Sequence, residues 1–131
     1  MNLQTQGHLT QLRQALTWRI QELQAGLYTL ATRRDEDAVG SGVTDRKDEA
    51  DAWQRTDIDA QSERLELGEL RRCQEALHRL DSGLYGDCRD CLEPIALQRL
   101  MVQPEAERCA ACQSKLEARR RHEVQAWIGA S

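Results

Sequence analysis

Phenylalanine is absent from this 131-residue chain, and three Trp and two Tyr bring the aromatic share to only 4%. A chain so poor in bulky rings cannot fill a wide core, although it can fill a narrow seam between helices. Proline is scarce as well. Only Pro94 and Pro104 occur, so everything outside that stretch is free to be helix. No apolar run approaches the ~18–20 residues of a membrane span. Met1 to Thr10 lacks the basic-then-apolar pattern of an export signal. With thiols that work in the reduced state, these absences make the cytoplasm the expected location.

Charge, by contrast, is plentiful. Charged residues make up 31% of the chain, with a net charge of −4, and the excess acid is concentrated. Residues 35–51 carry seven acidic and two basic side chains, whereas residues 85–131 balance at seven each. An acidic patch does not seek DNA phosphates. It suits a basic protein surface or one that bears a metal. The basic run Arg119-Arg120-Arg121-His122 reads as a solvated helix face.

Four of the five cysteines fall into a pattern. Cys88-Arg89-Asp90-Cys91 and Cys109-Ala110-Ala111-Cys112 are two C-x-x-C knuckles separated by seventeen residues. That spacing matches a four-thiolate zinc site, with Zn–S distances of about 2.3 Å. A site closed by four sulfurs leaves no position for water and is structural rather than catalytic. Two disulfides or an iron centre are the alternatives. His8, His78 and His122 are scattered and are not assigned to the metal.

Leu9, Leu12, Leu16, Ile20, Leu23, Leu27 and Leu30 recur at steps of three and four, the mark of a helix with one apolar stripe. Gly26 interrupts it, at about 1 kcal/mol relative to Ala. Leu67, Leu70, Cys73, Leu77, Leu80 and Leu84 form a second stripe, continued thinly backwards through Ala60, Thr56 and Trp53. It ends at Asp81-Ser82-Gly83, where Gly83 suits a helix C-cap. Cys73 reads as a small buried hydrophobe of this seam. The only turn signal between the stripes is Gly40-Ser41-Gly42. A hairpin folded there would face Leu16 with Leu67, Leu12 with Leu70, Leu9 with Cys73, Leu23 with Ala60 and Leu30 with Trp53. Arms of ~34 residues give a rod of about 50 Å, with a firm base and a mobile tip. Gln113 to Trp127 reads as a terminal helix whose Leu116, Val124, Trp127 and Ile128 pack on the base.

The predicted fold is therefore all-α: a long antiparallel helical hairpin, or coiled coil, on a small four-cysteine zinc-finger base with a C-terminal helix. The hairpin takes residues 1–83 with an acidic tip at about 38–50, the zinc finger residues 84–113, and the last helix residues 114–131. One structural zinc ion, held by Cys88, Cys91, Cys109 and Cys112, is the expected cofactor. No nucleophile–base pair, phosphate-cradling glycine loop or open metal position is present, so no enzyme is expected.

At the tip, Asp45 and Asp48 lie three residues apart and share a face if a helix starts there. Taken alone they suit an N-cap and a first-turn acid. Together with Ala50 ahead of the two-knuckle base, however, the chain resembles the DksA/TraR family of bacterial RNA polymerase-binding factors. The likeness rests on Asp45, Asp48, Ala50, Tyr85-Gly86, Cys88, Cys91, Pro94-Ile95, Arg99-Leu100, Pro104, Cys109 and Cys112. It runs over roughly residues 5 to 122.

The resemblance implies a monomer that inserts its hairpin into the polymerase secondary channel. Asp45, Asp48 and Ala50 would act near the active centre to destabilise open promoter complexes. Two departures stand out. The family's additional N-terminal helical segment has no counterpart here, because the first arm uses almost every residue ahead of the tip. Family members also respond jointly with ppGpp through basic side chains around the zinc module. Here Gln103 and Gln113 are uncharged and Arg72 remains, so ppGpp co-binding should be weakened. Two other readings use the same residues. A zinc-ribbon DNA-binding protein would use Arg119 to Arg121 and bind duplexes in a steeply salt-dependent way. A generic interaction module would use the hairpin as a protein-binding arm.

Overall fold

The computed structural model describes residues 3–39 and 46–129, with side chains over 3–35 and 57–128. Five helices follow in order: α1 (Leu3–Gln6), α2 (Leu9–Val39), α3 (Arg46–Asp81), α4 (Leu97–Val102) and α5 (Ala110–Gly129). No strand occurs among the described residues. At 1.5 Å per residue, the 31 residues of α2 and the 36 of α3 are about 46 and 54 Å long. These two form the one extended helix–helix interface among the described residues, the hairpin that the leucine stripes foretold. No described helix is long and apolar enough to cross a membrane.

One continuous cluster forms the core. Leu12, Leu16 and Leu23 come from α2, and Cys73, Ala76 and Leu80 from α3. Tyr85, Cys88, Ile95 and Leu100 belong to the base. The register differs from the expectation. Leu67 is 44% exposed, while Ala76, outside the expected seam, is fully buried. Ion pairs mark the slide. Arg13 meets Asp81 at 2.6 Å, Arg19 meets Glu69 at 2.8 Å, and Arg34 meets Glu63. Each partner lies further along α3 than a fold at Ser41/Gly42 would place it. The alternative packing is favourable because Ala76 has no bulk, so the leucines of α2 can close on α3 at the end where the base adds more apolar surface. The expected Leu30–Trp53 pairing involves a side chain outside the described residues, and the turn itself also lies outside them.

Gly26 does more than interrupt a helix. A Cβ there would stand 3.2 Å from Glu66 Oε2, so the glycine makes room for a carboxylate of the opposite arm. Gly83 ends α3 as expected. It adopts φ +76°, Leu84 N–H donates to Arg79 O at 2.8 Å, and Gly83 N–H donates to Leu80 O at 3.3 Å. That pair of bonds is the Schellman arrangement, which satisfies carbonyls the helix would otherwise strand.

The terminal helix departs from expectation. Leu116 is half-buried, but Val124, Trp127 and Ile128 are exposed, Trp127 by 83%. Three consecutive arginines and alternating polar residues leave α5 no continuous apolar stripe with which to lie on the base.

Candidate metal centre and hairpin tip

The base is built from two turns that face each other. In the first, Cys88 N–H donates to Glu93 O at 2.9 Å and Ile95 N–H to Gly86 O at 2.8 Å, so residues 86–95 form a tight loop. Gly86 sits at φ +98°, where side chains are strained, and a Cβ there would crowd the Thr5 methyl at 3.3 Å. The short helix α1 is thus seated on the first knuckle through Thr5, which is 1% exposed. In the second turn, Cys109 precedes α5, and its sulfur accepts the N–H of Cys112 at 3.4 Å. It therefore occupies the N-cap position, where helix N–H groups favour a thiolate.

These turns bring the Sγ atoms of Cys88, Cys91, Cys109 and Cys112 within 4.8 Å of one another, and Cys91 Sγ stands 3.8 Å from Cys109 Sγ. All four are free thiols. A tetrahedron with Zn–S bonds of about 2.3 Å has edges of about 3.8 Å, so the sulfur cage fits that ion. Burial raises the Cys88 thiol, but backbone N–H groups at Cys91, Cys109 and Asp90 outweigh it and bring it down to about 6. Hydrogen bonding to Cys109 and Cys88 pushes Cys112 up to about 12. Metal ligation requires thiolates, so binding at this cage displaces whatever thiol protons remain.

Charged pairs also cross-link the knuckles, beyond what the cysteine spacing implies. Arg89 Nη1 donates to Glu107 Oε2 at 2.9 Å, and Arg108 Nε donates to Asp90 Oδ2 at 2.7 Å. Glu107 is mostly buried. That burial raises its carboxyl, but the bond from Arg89 prevails and holds it below the ordinary range. The sequence carried a legible sign: Arg89-Asp90 lies within one knuckle and Glu107-Arg108 immediately before the other, opposite in order. Arg99 of α4 donates to Arg108 O at 3.0 Å, and the buried Tyr85 donates its hydroxyl proton to Pro104 O at 2.8 Å. Residues singled out by family resemblance alone thus prove to be struts of the cage.

The tip is a different matter. Asp45 lies outside the described residues. Asp48 and Ala50 fall on the first turns of α3, but their side chains also lie outside them. The structure therefore brings the four cysteines together and leaves the tip residues as expectations.

A helical hairpin rising from a four-sulfur cage defines the class: a C4-type zinc-finger protein with a coiled-coil arm. Residues 83–118 match the family model described as the prokaryotic dksA/traR C4-type zinc finger. The structure of transcription factor DksA2 from Pseudomonas aeruginosa superimposes with a TM-score of 0.73 at 31% identity, covering 88% of both chains. A protein of Aquifex aeolicus (strain VF5), described as uncharacterized, is 36% identical over 53 residues. That match spans 40% of this chain and 37% of the Aquifex protein. The chain belongs to the DksA/TraR family and is a transcription factor of that family, with one structural zinc ion as cofactor.

Proposed function

We propose that this protein regulates transcription by binding bacterial RNA polymerase directly, with its hairpin inserted in the secondary channel. Cys88, Cys91, Cys109 and Cys112 hold the zinc, and Asp45, Asp48 and Ala50 form the working tip. Residues 1–83, 84–113 and 114–131 serve as arm, zinc module and terminal helix of a cytoplasmic monomer. The observation that carries this reading is the likeness to DksA2 along 88% of the chain, arm and base together. A rod about 50 Å long can enter a channel that a globule cannot. At its end a carboxylate pair can compete for basic or metal-organising groups, while Ala50 adds no bulk. No covalent step is involved. The zinc contributes rigidity, orienting the arm from a base too small to hold itself.

Dependence on ppGpp should be lower than in relatives with a more basic zinc module. Arg72, Gln103 and Gln113 line one cavity of about 410 Å³, and two of these three are neutral. Arg99, Arg108 and Arg120 also line it, but Arg99 and Arg108 are already engaged with the Arg108 carbonyl and Asp90, and Glu105, Glu107 and Glu117 add negative charge.

In vitro transcription with purified polymerase tests the reading. Asp45→Asn combined with Asp48→Asn should leave polymerase binding within about twofold while the transcriptional effect is lost. Loss of binding, or an undiminished effect, would overturn the assigned role of the tip. The same reactions titrated with ppGpp should show little further enhancement.

A further inference from the structure

We propose that Arg89, Asp90, Glu107 and Arg108 form an ionic clasp that governs how fast the zinc ion leaves its cage. The inference rests on the four-sulfur site and not on the polymerase reading.

Each knuckle is closed by bonds of its own. Cys88 N–H donates to Glu93 O at 2.9 Å in the first, and Cys112 N–H donates to Cys109 Sγ at 3.4 Å in the second. Neither bond holds one knuckle to the other. Apart from contacts of the sulfurs, the direct bonds described between the two turns come from four charged residues. Arg89 N–H donates to Glu107 O at 2.9 Å, and the Arg89 guanidinium donates to the Glu107 carboxylate at the same distance. Arg108 Nε donates to Asp90 Oδ2 at 2.7 Å, and Arg108 Nη1 lies 3.8 Å from Glu107 Oε2. Charge therefore alternates across the gap in the order Arg89, Glu107, Arg108, Asp90.

This placement bears on the metal more than on the fold at large. Arg89 and Asp90 are the two residues between Cys88 and Cys91, and Glu107 and Arg108 immediately precede Cys109. An ion held by two sulfurs from each turn is freed when the turns part. That motion also pulls the row of charges apart. The inner members are shielded, with the Glu107 and Arg108 side chains 13% and 20% exposed. An isolated exposed pair adds little. A shielded and connected one is screened less, and breaking it strands a partly buried charge. Arg99 reinforces the row from α4 by donating to Arg108 O at 3.0 Å. The four are positioning residues: none ligates the ion, and each acts through the cysteines beside it.

Zinc transfer from the loaded full chain to excess pyridylazoresorcinol, followed by absorbance, tests the clasp. Reversing one side, Arg89→Glu with Asp90→Arg, sets like charges against each other and leaves the net charge unaltered. It should speed zinc release by about tenfold or more. A milder set separates pairing from general damage. Arg89→Gln and Glu107→Gln should each quicken release by roughly threefold, and the two combined should be no faster than the faster single change. Arg19→Gln, which removes an ion pair of the arm, should leave the rate unchanged. Far-ultraviolet circular dichroism establishes that each variant keeps its helices. The neutral set keeps the test decisive where the reversed chain does not load zinc. Release that stays slow when one side is reversed, or single effects that multiply in the combined variant, would overturn the clasp. Polymerase is absent from the assay, so either result leaves the proposed transcriptional role untouched.

Discussion

Cys73 in the hairpin and Cys88 in the base are almost equally hidden from solvent, at 0% and 1% exposure. Their thiols nevertheless move in opposite directions. Burial, reinforced by the nearby Glu105 and Glu69, pushes Cys73 up to about 11. Burial acts on Cys88 in the same sense, but backbone N–H groups of the facing turns bring it down to about 6. The two regions therefore solve different problems. Around Cys73 the hairpin seam excludes water without supplying donors to the sulfur, so the neutral thiol is favoured there. The base excludes water and replaces it with aimed N–H groups, as a charge-holding cage must. Along the arm, apolar contact is supplemented by ion pairs between the helices. The base adds metal and charged struts to a small cluster of Tyr85, Ile95 and Leu100.

Zinc removal should separate the regions most sharply. Chelation, or Cys109→Ser, should abolish the ordered surroundings of Tyr85, read as loss of its near-ultraviolet circular dichroism. Most far-ultraviolet helical signal should survive, because α2 and α3 keep their own seam. Structural zinc supplies on the order of 10 kcal/mol to small modules, far more than the few apolar residues of the base can replace. Concerted loss of both signals would mean that arm and base are one cooperative unit, and the contrast would fail.

Next in size is a test within the hairpin. Leu16 is fully buried, and Leu67, its expected partner, is 44% exposed. In urea denaturation of the zinc-loaded protein, Leu16→Ala should cost about 2–5 kcal/mol. Leu67→Ala should stay within about 1 kcal/mol. Equal effects would restore the register centred on Ser41/Gly42.

The hairpin and the cage were legible in sequence for a shared reason. Leucines at steps of three and four, and paired C-x-x-C turns, are local patterns with few alternative structures. The register was not legible, because it depends on which pair of faces packs closest. Ala76, small enough to look neutral in a stripe of leucines, helps decide it. Gly26 was read as a local defect, although its role is to accommodate Glu66 from the other arm. The α5 error had a similar origin. Leu116, Val124, Trp127 and Ile128 are apolar enough to suggest packing, but three are exposed because no facing stripe awaits them. As for the site, the cage could be placed residue by residue. The Arg89–Glu107 and Asp90–Arg108 struts became visible only when the knuckles were brought face to face.

The smallest effect probes the thiol of the seam itself. Cys73 has a folded value of about 11 against an ordinary value near 9, so the folded state retains its proton longer than the unfolded chain. Its contribution to stability is then fully present below pH 9 and is lost as pH rises through 11. Two pH units on one group correspond to an upper bound of about 2.7 kcal/mol, and side-chain relaxation should leave roughly 1–2 kcal/mol. Stability of the zinc-loaded protein, measured at steps from pH 8 to 11, should fall more steeply for the parent than for Cys73→Ala. The variant will start lower, because it leaves a small cavity, so the comparison rests on slope rather than on level. Groups common to both proteins, the zinc thiolates included, cancel in that difference. Parallel slopes would mean that the seam admits water or a donor to Cys73, and the contrast between a neutral arm and a charge-holding base would lose one side.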